Sequence, residues 1–254
     1  MLRLADLREM LRYVPQYRDR IFVIAVDGAI VDSENFRNIL LDIALLRSLR
    51  IGVALVHGAG AQTRRLAEQT GVTPSNLDGA GVTDFPTLQV ALTAANRVSH
   101  EILEGLSAND LRGANTNALV AHPAGILGGV DHLFTAKVER IEVPFLRALL
   151  DNDILPVIPP VGCDGEGNTY RLNSDAVAVE IARALDAVKL IFLGVAAGVV
   201  RTPPGAEQAE LVRQLTVDEA ETLLRRYRAE LAPDCVSKLT NAIKAAQGGV
   251  PRVH

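Results

Sequence analysis

The chain has 254 residues, 48% of them hydrophobic, with a formal net charge of −4, no tryptophan and two cysteines. That length and apolar content suit one large α/β domain, or two small lobes sharing a sheet, around an aliphatic core. The acidic balance argues against a nucleic-acid or anionic-membrane surface, and no stretch reaches the roughly 18 uninterrupted apolar residues of a membrane span.

The N-terminus is charged throughout and has no apolar signal block. Apolar residues at 4, 7, 11 and 14 predict a helix over 4–17. A strand over 21–26 follows and breaks at Asp27-Gly28, with Asp32-Ser33 offering an N-cap for a helix over 34–50. A strand over 52–56 runs into His57-Gly58-Ala59-Gly60, then helices are predicted over 61–70 and 87–106. A short strand is expected over 117–121 and strand-rich chain over 125–142, turning at Gly128-Gly129. A helix over 144–151 and a strand over 154–158 precede Pro159-Pro160. The turn over 164–168 joins a hairpin, a helix over 174–185 is expected to be capped by Ser174, and a strand spans 188–193. Helices over 216–230 and 233–247 close the sequence. Cys163 and Cys235 read as reduced thiols, and no metal site is expected.

Strands separated by helices predict an α/β fold: a three-layer sandwich with a central, mainly parallel open sheet. Functional crevices in such sheets lie at the carboxyl ends of the strands. The turns after Val26, Val56, Ile158 and Leu193 should therefore share one rim.

The order of these motifs resembles the amino-acid kinase family over nearly the whole chain, and within it acetylglutamate kinase and the kinase-like domain of N-acetylglutamate synthase. The carriers are the N-terminal helix with Tyr13, Val23 to Gly28, Val56 to Gly60, Val82-Thr83-Asp84, Arg171-Leu172-Asn173-Ser174-Asp175 and Lys238. The family moves the γ-phosphoryl of ATP to a carboxylate, so two anions must be brought together. Lysines and glycine-turn N–H groups spread that charge, and an aspartate holds the lysines. The resemblance assigns Asp175 and Lys238 to catalysis. It assigns Gly58, Ala59, Gly60, Gly81, Arg171 and Asn173 to the substrate, and Asp27, Gly28, Gly194 and Lys238 to the nucleotide. The family's chemistry needs no base, so His57 is expected to orient a loop by hydrogen bonding, and Tyr13 falls at the border of an effector site. The resemblance also divides the chain into an N-terminal helix over 1–19, an acyl-amino-acid lobe over about 20–160 and a nucleotide lobe over about 161–254, with the final strand cut short.

The departures run one way. The family's Lys-x-Gly-Gly reads Ala25-Val26-Asp27-Gly28, so a methyl replaces the lysine and an anion the first glycine. His-Gly-Gly-Gly reads His57-Gly58-Ala59-Gly60. A substrate-holding arginine is Gly81, the first asparagine of Asn-x-Asn-Ala-Asp is Arg171, and the aspartate after the strand 188–193 is Gly194. Losing one pre-organised donor to a developing phosphoryl charge costs a factor of about 10² to 10³. A carboxylate facing phosphates in a partly dry cleft costs more. Gly129-Val130-Asp131 and the segment Val138 to Glu142 further resemble the bacterial synthases. The resemblance thus implies a cytoplasmic, homo-oligomeric regulatory domain of arginine biosynthesis that binds arginine or N-acetylglutamate, with impaired phosphoryl transfer and weak ATP-magnesium binding. A working kinase using Arg171 and Lys238 as surrogate cations, and a ligand-free oligomerisation module, stay open as alternatives.

Overall fold

The computed structural model describes residues 14–196, 198–201 and 210–254. Five parallel strands form its central sheet, in the order Lys189–Leu193, Ile21–Val26, Gly52–His57, Ile154–Ile158, Arg112–Asn115. Parallel strands with helices on both faces read as continuous apolar runs, and in Ile21–Val26 every residue after the first is buried. Side chains alternate between two cores, as the two-residue period of a strand dictates. Val23, Ala25, Val56 and Ile158 pack with Val177 and Ile181 of the helix Ser174–Ala184. Ile24, Val26, Leu55 and Val157 pack with Leu40 and Ile43 of Phe36–Ser48 and with Val98 and Ile102 of Phe85–Ser107. The three-layer arrangement expected from the sequence is present.

A four-stranded mixed sheet, in the order Thr169–Arg171, Val161–Cys163, Leu119–Pro123, Ala136–Ile141, stands beside the first. Its expected hairpin closes through Asp164, whose Oδ1 accepts from the amides of Glu166 and Asn168 at 2.9 Å each. Ile126–Leu127 and Val130–Asp131 form a separate ribbon. Gly128 and Gly129 between them hold φ of 57° and 82°, the left-handed conformations a two-residue hairpin turn demands. Beyond Lys189–Leu193, Val253 pairs in parallel with Leu190, and the Phe192 amide donates to the His254 carbonyl at 2.8 Å.

Local differences from the sequence reading have physical causes. The chain makes a helical turn, Gly28–Val31, directly after the first strand. Ser33 therefore caps the end of that turn, donating to the Ile30 carbonyl at 2.7 Å, and the next helix starts after Asn35. Asn173, not Ser174, caps Ser174–Ala184, accepting from the Ala176 amide at 2.9 Å. The strand Arg112–Asn115 went unforeseen because its sequence, RGAN, carries no apolar alternation. Of the expected helix over 4–17, residues 14–17 are helical and the rest lies outside the described residues. Among the described residues no helix is long and apolar enough to cross a membrane.

Ile158 is fully buried where the first core meets the end of its strand. Ile158→Ala should cost about 2–5 kcal/mol of stability. Ile126→Ala, at a position 73% exposed, should stay within about 0.5 kcal/mol. Urea unfolding of the two variants checks both.

Candidate active site

The carboxyl ends of the strands converge as expected. After Ile21–Val26 the Asp27 amide donates to the Leu193 carbonyl at 2.9 Å, and the Gly58 amide donates to the Val26 carbonyl at 2.8 Å. Three neighbouring strand ends are thereby laced together. A Cβ on Gly28 would lie 2.1 Å from Gln62 Oε1 and 2.9 Å from the Gly58 carbonyl oxygen, so the two turns meet only because residue 28 has no side chain. Gln62 Nε2 donates to the Gly28 carbonyl at 2.8 Å and ties the helix Gly60–Thr70 to that turn. His57 is fully buried and neutral, its pKa pulled down to about 4 by that burial. Its Nε2 lies 2.8 Å from Ser99 Oγ and its Nδ1 3.2 Å from the Gly58 carbonyl oxygen, pinning the turn to the long helix. It orients the loop, as read from the sequence.

These turns wall a cavity of about 600 Å³. Of the residues singled out from the sequence, Asp27, Gly28, Gly58, Ala59, Gly60, Arg171, Asn173, Asp175 and Lys238 all line it. Gly81 is not among its lining residues; its carbonyl accepts from Thr135 Oγ1 at 2.6 Å. Ala25 is buried in the first core. Gly194 lines a second cavity, of about 980 Å³, which meets the first at Asp234 and Lys238. Tyr13 lies outside the described residues.

Lys238 dominates the electrostatics. Its Nζ donates to Asp27 Oδ1 at 2.9 Å, to Asp234 Oδ1 at 2.5 Å and to Asp175 Oδ1 at 3.4 Å. Ser237 Oγ donates to the other Asp175 oxygen at 2.6 Å. One ammonium among three carboxylates, +1 against −3, leaves the cluster at −2 when all are ionised. Burial alone would pull the Lys238 ammonium down, but Asp175 and Asp27 hold it above the ordinary lysine value. Burial pushes both Asp27 and Asp175 above the ordinary carboxylate value, and the single shared lysine does not bring them back. Each acid sits at or just inside the start of a helix, where the dipole favours an anion. A Cβ on Gly194 would fall 3.0 Å from Asp27 Oδ2 and 3.1 Å from Lys238 Cε, so the cluster leaves little room for a side chain there. Asp234 was missed in the sequence, although its i,i+4 spacing to Lys238 on a predicted helix was the available signal. Gln62 gave no signal at all.

Arg171 lines the cavity but its guanidinium is committed elsewhere, to the carbonyls of Asn76 and Leu77 at 2.9 and 2.5 Å. The role of surrogate cation for a phosphoryl group is therefore not supported by its placement. Among the described residues no group of three or more histidine, cysteine or acidic side chains is arranged to hold a metal ion.

Residues 20–254 match the amino acid kinase family. An acetylglutamate kinase of Pseudothermotoga lettingae is 30% identical over 257 residues, covering 99% of this chain and 88% of the relative. An amino-acid acetyltransferase of Vibrio cholerae is 31% identical over 97% of this chain, which spans 58% of that relative. N-acetylglutamate synthase from Neisseria gonorrhoeae, solved with coenzyme A and N-acetyl-glutamate, superposes with a TM-score of 0.87 at 28% identity. That alignment covers all of this chain and 58% of the synthase, and the same enzyme has also been solved with coenzyme A and L-arginine.

Lys238→Met leaves three carboxylates without their shared cation and should cost about 3–5 kcal/mol at pH 7. Because the folded Asp27 carboxyl titrates above its ordinary value, the folded state holds that proton more tightly and ionised Asp27 opposes folding. That penalty is complete above the raised value and fades as pH falls through it toward 3.8. The melting temperature of Asp27→Asn relative to the wild type should accordingly be higher at pH 7 than at pH 4. Calorimetric unfolding across that range reads both variants.

Proposed function

The chain belongs to the amino acid kinase family, and on that premise we propose that it is an acetylglutamate-kinase-like regulatory domain of arginine biosynthesis, of the kind found in N-acetylglutamate synthase, with phosphoryl transfer impaired. One observation carries the reading. The retained lysine of the site, Lys238, is already neutralised by Asp27, Asp175 and Asp234. Ala25 supplies only a methyl where a second lysine would stand.

The charge at this end of the cavity opposes the phosphates of a nucleotide triphosphate. Phosphate oxygens there would meet a cluster carrying two excess negative charges, and a carboxylate about 4 Å from a phosphate charge opposes it by roughly 4 kcal/mol at an effective dielectric of 20. That offsets most of the about 4 to 8 kcal/mol of a millimolar-to-micromolar complex. The glycine turn beside Asp27 is different in character. Ala59 and Gly60 open the helix Gly60–Thr70 without a side-chain cap, and although the Gly58 amide is taken by the Val26 carbonyl, the N–H groups of the helix's first turn are left for a ligand carboxylate. We therefore assign arginine or N-acetylglutamate as the small-molecule class, in line with the ligands of the Neisseria gonorrhoeae enzyme. Self-association, a cytoplasmic location and the division into two lobes near residue 160 belong to the same proposal.

A working acetylglutamate kinase is the second reading, favoured by the 88% coverage of the Pseudothermotoga lettingae enzyme. It requires Lys238 to leave its three carboxylates during turnover. Incubation with N-acetylglutamate and ATP-magnesium, trapping acyl phosphate as the hydroxamate, separates the two. Turnover at or below detection is expected, with no rescue by Asp27→Gly alone; robust hydroxamate formation would establish the kinase instead. In parallel, arginine or N-acetylglutamate should raise the melting temperature, since a ligand of the folded state stabilises it.

A further inference from the structure

Arg171 is only 5% exposed, and it reaches a loop about ninety-five residues away in sequence. Its Nη1 donates to the Asn76 carbonyl at 2.9 Å and to Asn76 Oδ1 at 3.2 Å, while Nη2 donates to the Leu77 carbonyl at 2.5 Å. Asn76 is gripped again from the far side, donating from Nδ2 to Thr83 Oγ1 at 2.9 Å and to the Val82 carbonyl. The Gly79 amide donates to Asn76 Oδ1 at 2.8 Å, the same oxygen that Arg171 holds. Asn173, two residues on from Arg171, donates to the Asp78 carbonyl at 2.9 Å.

The loop is pressed close to what lies below it. Gly79 has φ of 73°, and a Cβ there would fall 2.4 Å from the Leu172 carbonyl oxygen. A Cβ on Gly60 would fall 3.1 Å from the Leu77 carbonyl oxygen, so the loop also covers the glycine turn. Leu77 and Asp78 line the cavity from above.

We propose that Arg171 is a positioning residue, a clamp that holds residues 76–79 as a closed roof over Gly58–Gly60 before any ligand arrives. A surface loop without regular structure ordinarily opens at low free energy. A planar guanidinium with several donors is suited to grip two successive carbonyls and a side-chain oxygen at once, and its hydrogen bonds are charge-assisted. The cavity is then a slot whose width is set by the fold, and it selects ligands by fit rather than by closing around them. This holds whichever ligand the slot takes, so it stands apart from the functional proposal.

Amide hydrogen exchange on the full ligand-free chain tests the clamp, with Gly79 as reporter and Val177, whose amide donates to the Asn173 carbonyl at 3.0 Å, as a control in another element. In the wild type the Gly79 amide should exchange at least a hundredfold slower than in an unstructured peptide. Arg171→Asn should speed Gly79 at least tenfold while Val177 changes less than twofold. Arg171→Lys, which keeps the buried charge but not the fork, should speed it at least threefold and carries the test if Arg171→Asn does not fold. An unprotected Gly79 in the wild type would overturn the proposal. So would equal acceleration of Gly79 and Val177 in the variants, the mark of a merely structural role, or a Gly79 rate within twofold of the wild type.

Discussion

Lys238 stands where three chain segments end: the first strand at Asp27, the start of Ser174–Ala184 at Asp175, and its own helix at Asp234. Its side chain is mostly buried, 16% exposed, and that of Asp175 is 8% exposed. Attraction between charges in such surroundings is several times stronger than in water, and so is the repulsion among the carboxylates. The ammonium is what allows the three acids to approach one another. Without it the strand end and the two helix starts would repel, and the cavity they enclose would lose its shape.

The same constraint reaches the glycines. Gly28 and Gly58 bring two strand ends together with no side chain between them, and Gly194 leaves the space that Asp27 and Lys238 fill. Val26 and Leu193 are paired in register on adjacent strands, so residues 27 and 194 emerge side by side. The family resemblance places an aspartate at the second of these positions, and this chain has one at the first. From the end of the first strand the Asp27 carboxylate reaches Lys238 directly, at 2.9 Å.

Most of the fold was legible because its strands are apolar runs and its helices carry clear apolar periodicity. The first strand and the last helix were read to the residue. What escaped was short or polar, such as the strand Arg112–Asn115, or depended on which of two adjacent residues turned its side chain inward, as at Asn173 and Ser174. The site was legible as a list of positions but not as a set of pairings. Asp27 could be read as an anion in the wrong place, yet only the folded chain reveals that it faces Lys238 across 211 residues of sequence. Arg171 looked like a spare cation for the cavity, and its partners in a loop some ninety-five residues away have no sequence signature.

The Lys238 ammonium is held by protein carboxylates, and impaired phosphoryl transfer requires that it stay there when nucleotide arrives. Nuclear magnetic resonance of the Lys238 side chain and of the Asp27 carboxyl carbon, followed during addition of ATP-magnesium at pH 7, tests it most directly. Both signals should stay in place up to millimolar nucleotide, with the ammonium still hydrogen-bonded to Asp27. A saturable shift at micromolar nucleotide, with Lys238 leaving Asp27, would contradict it.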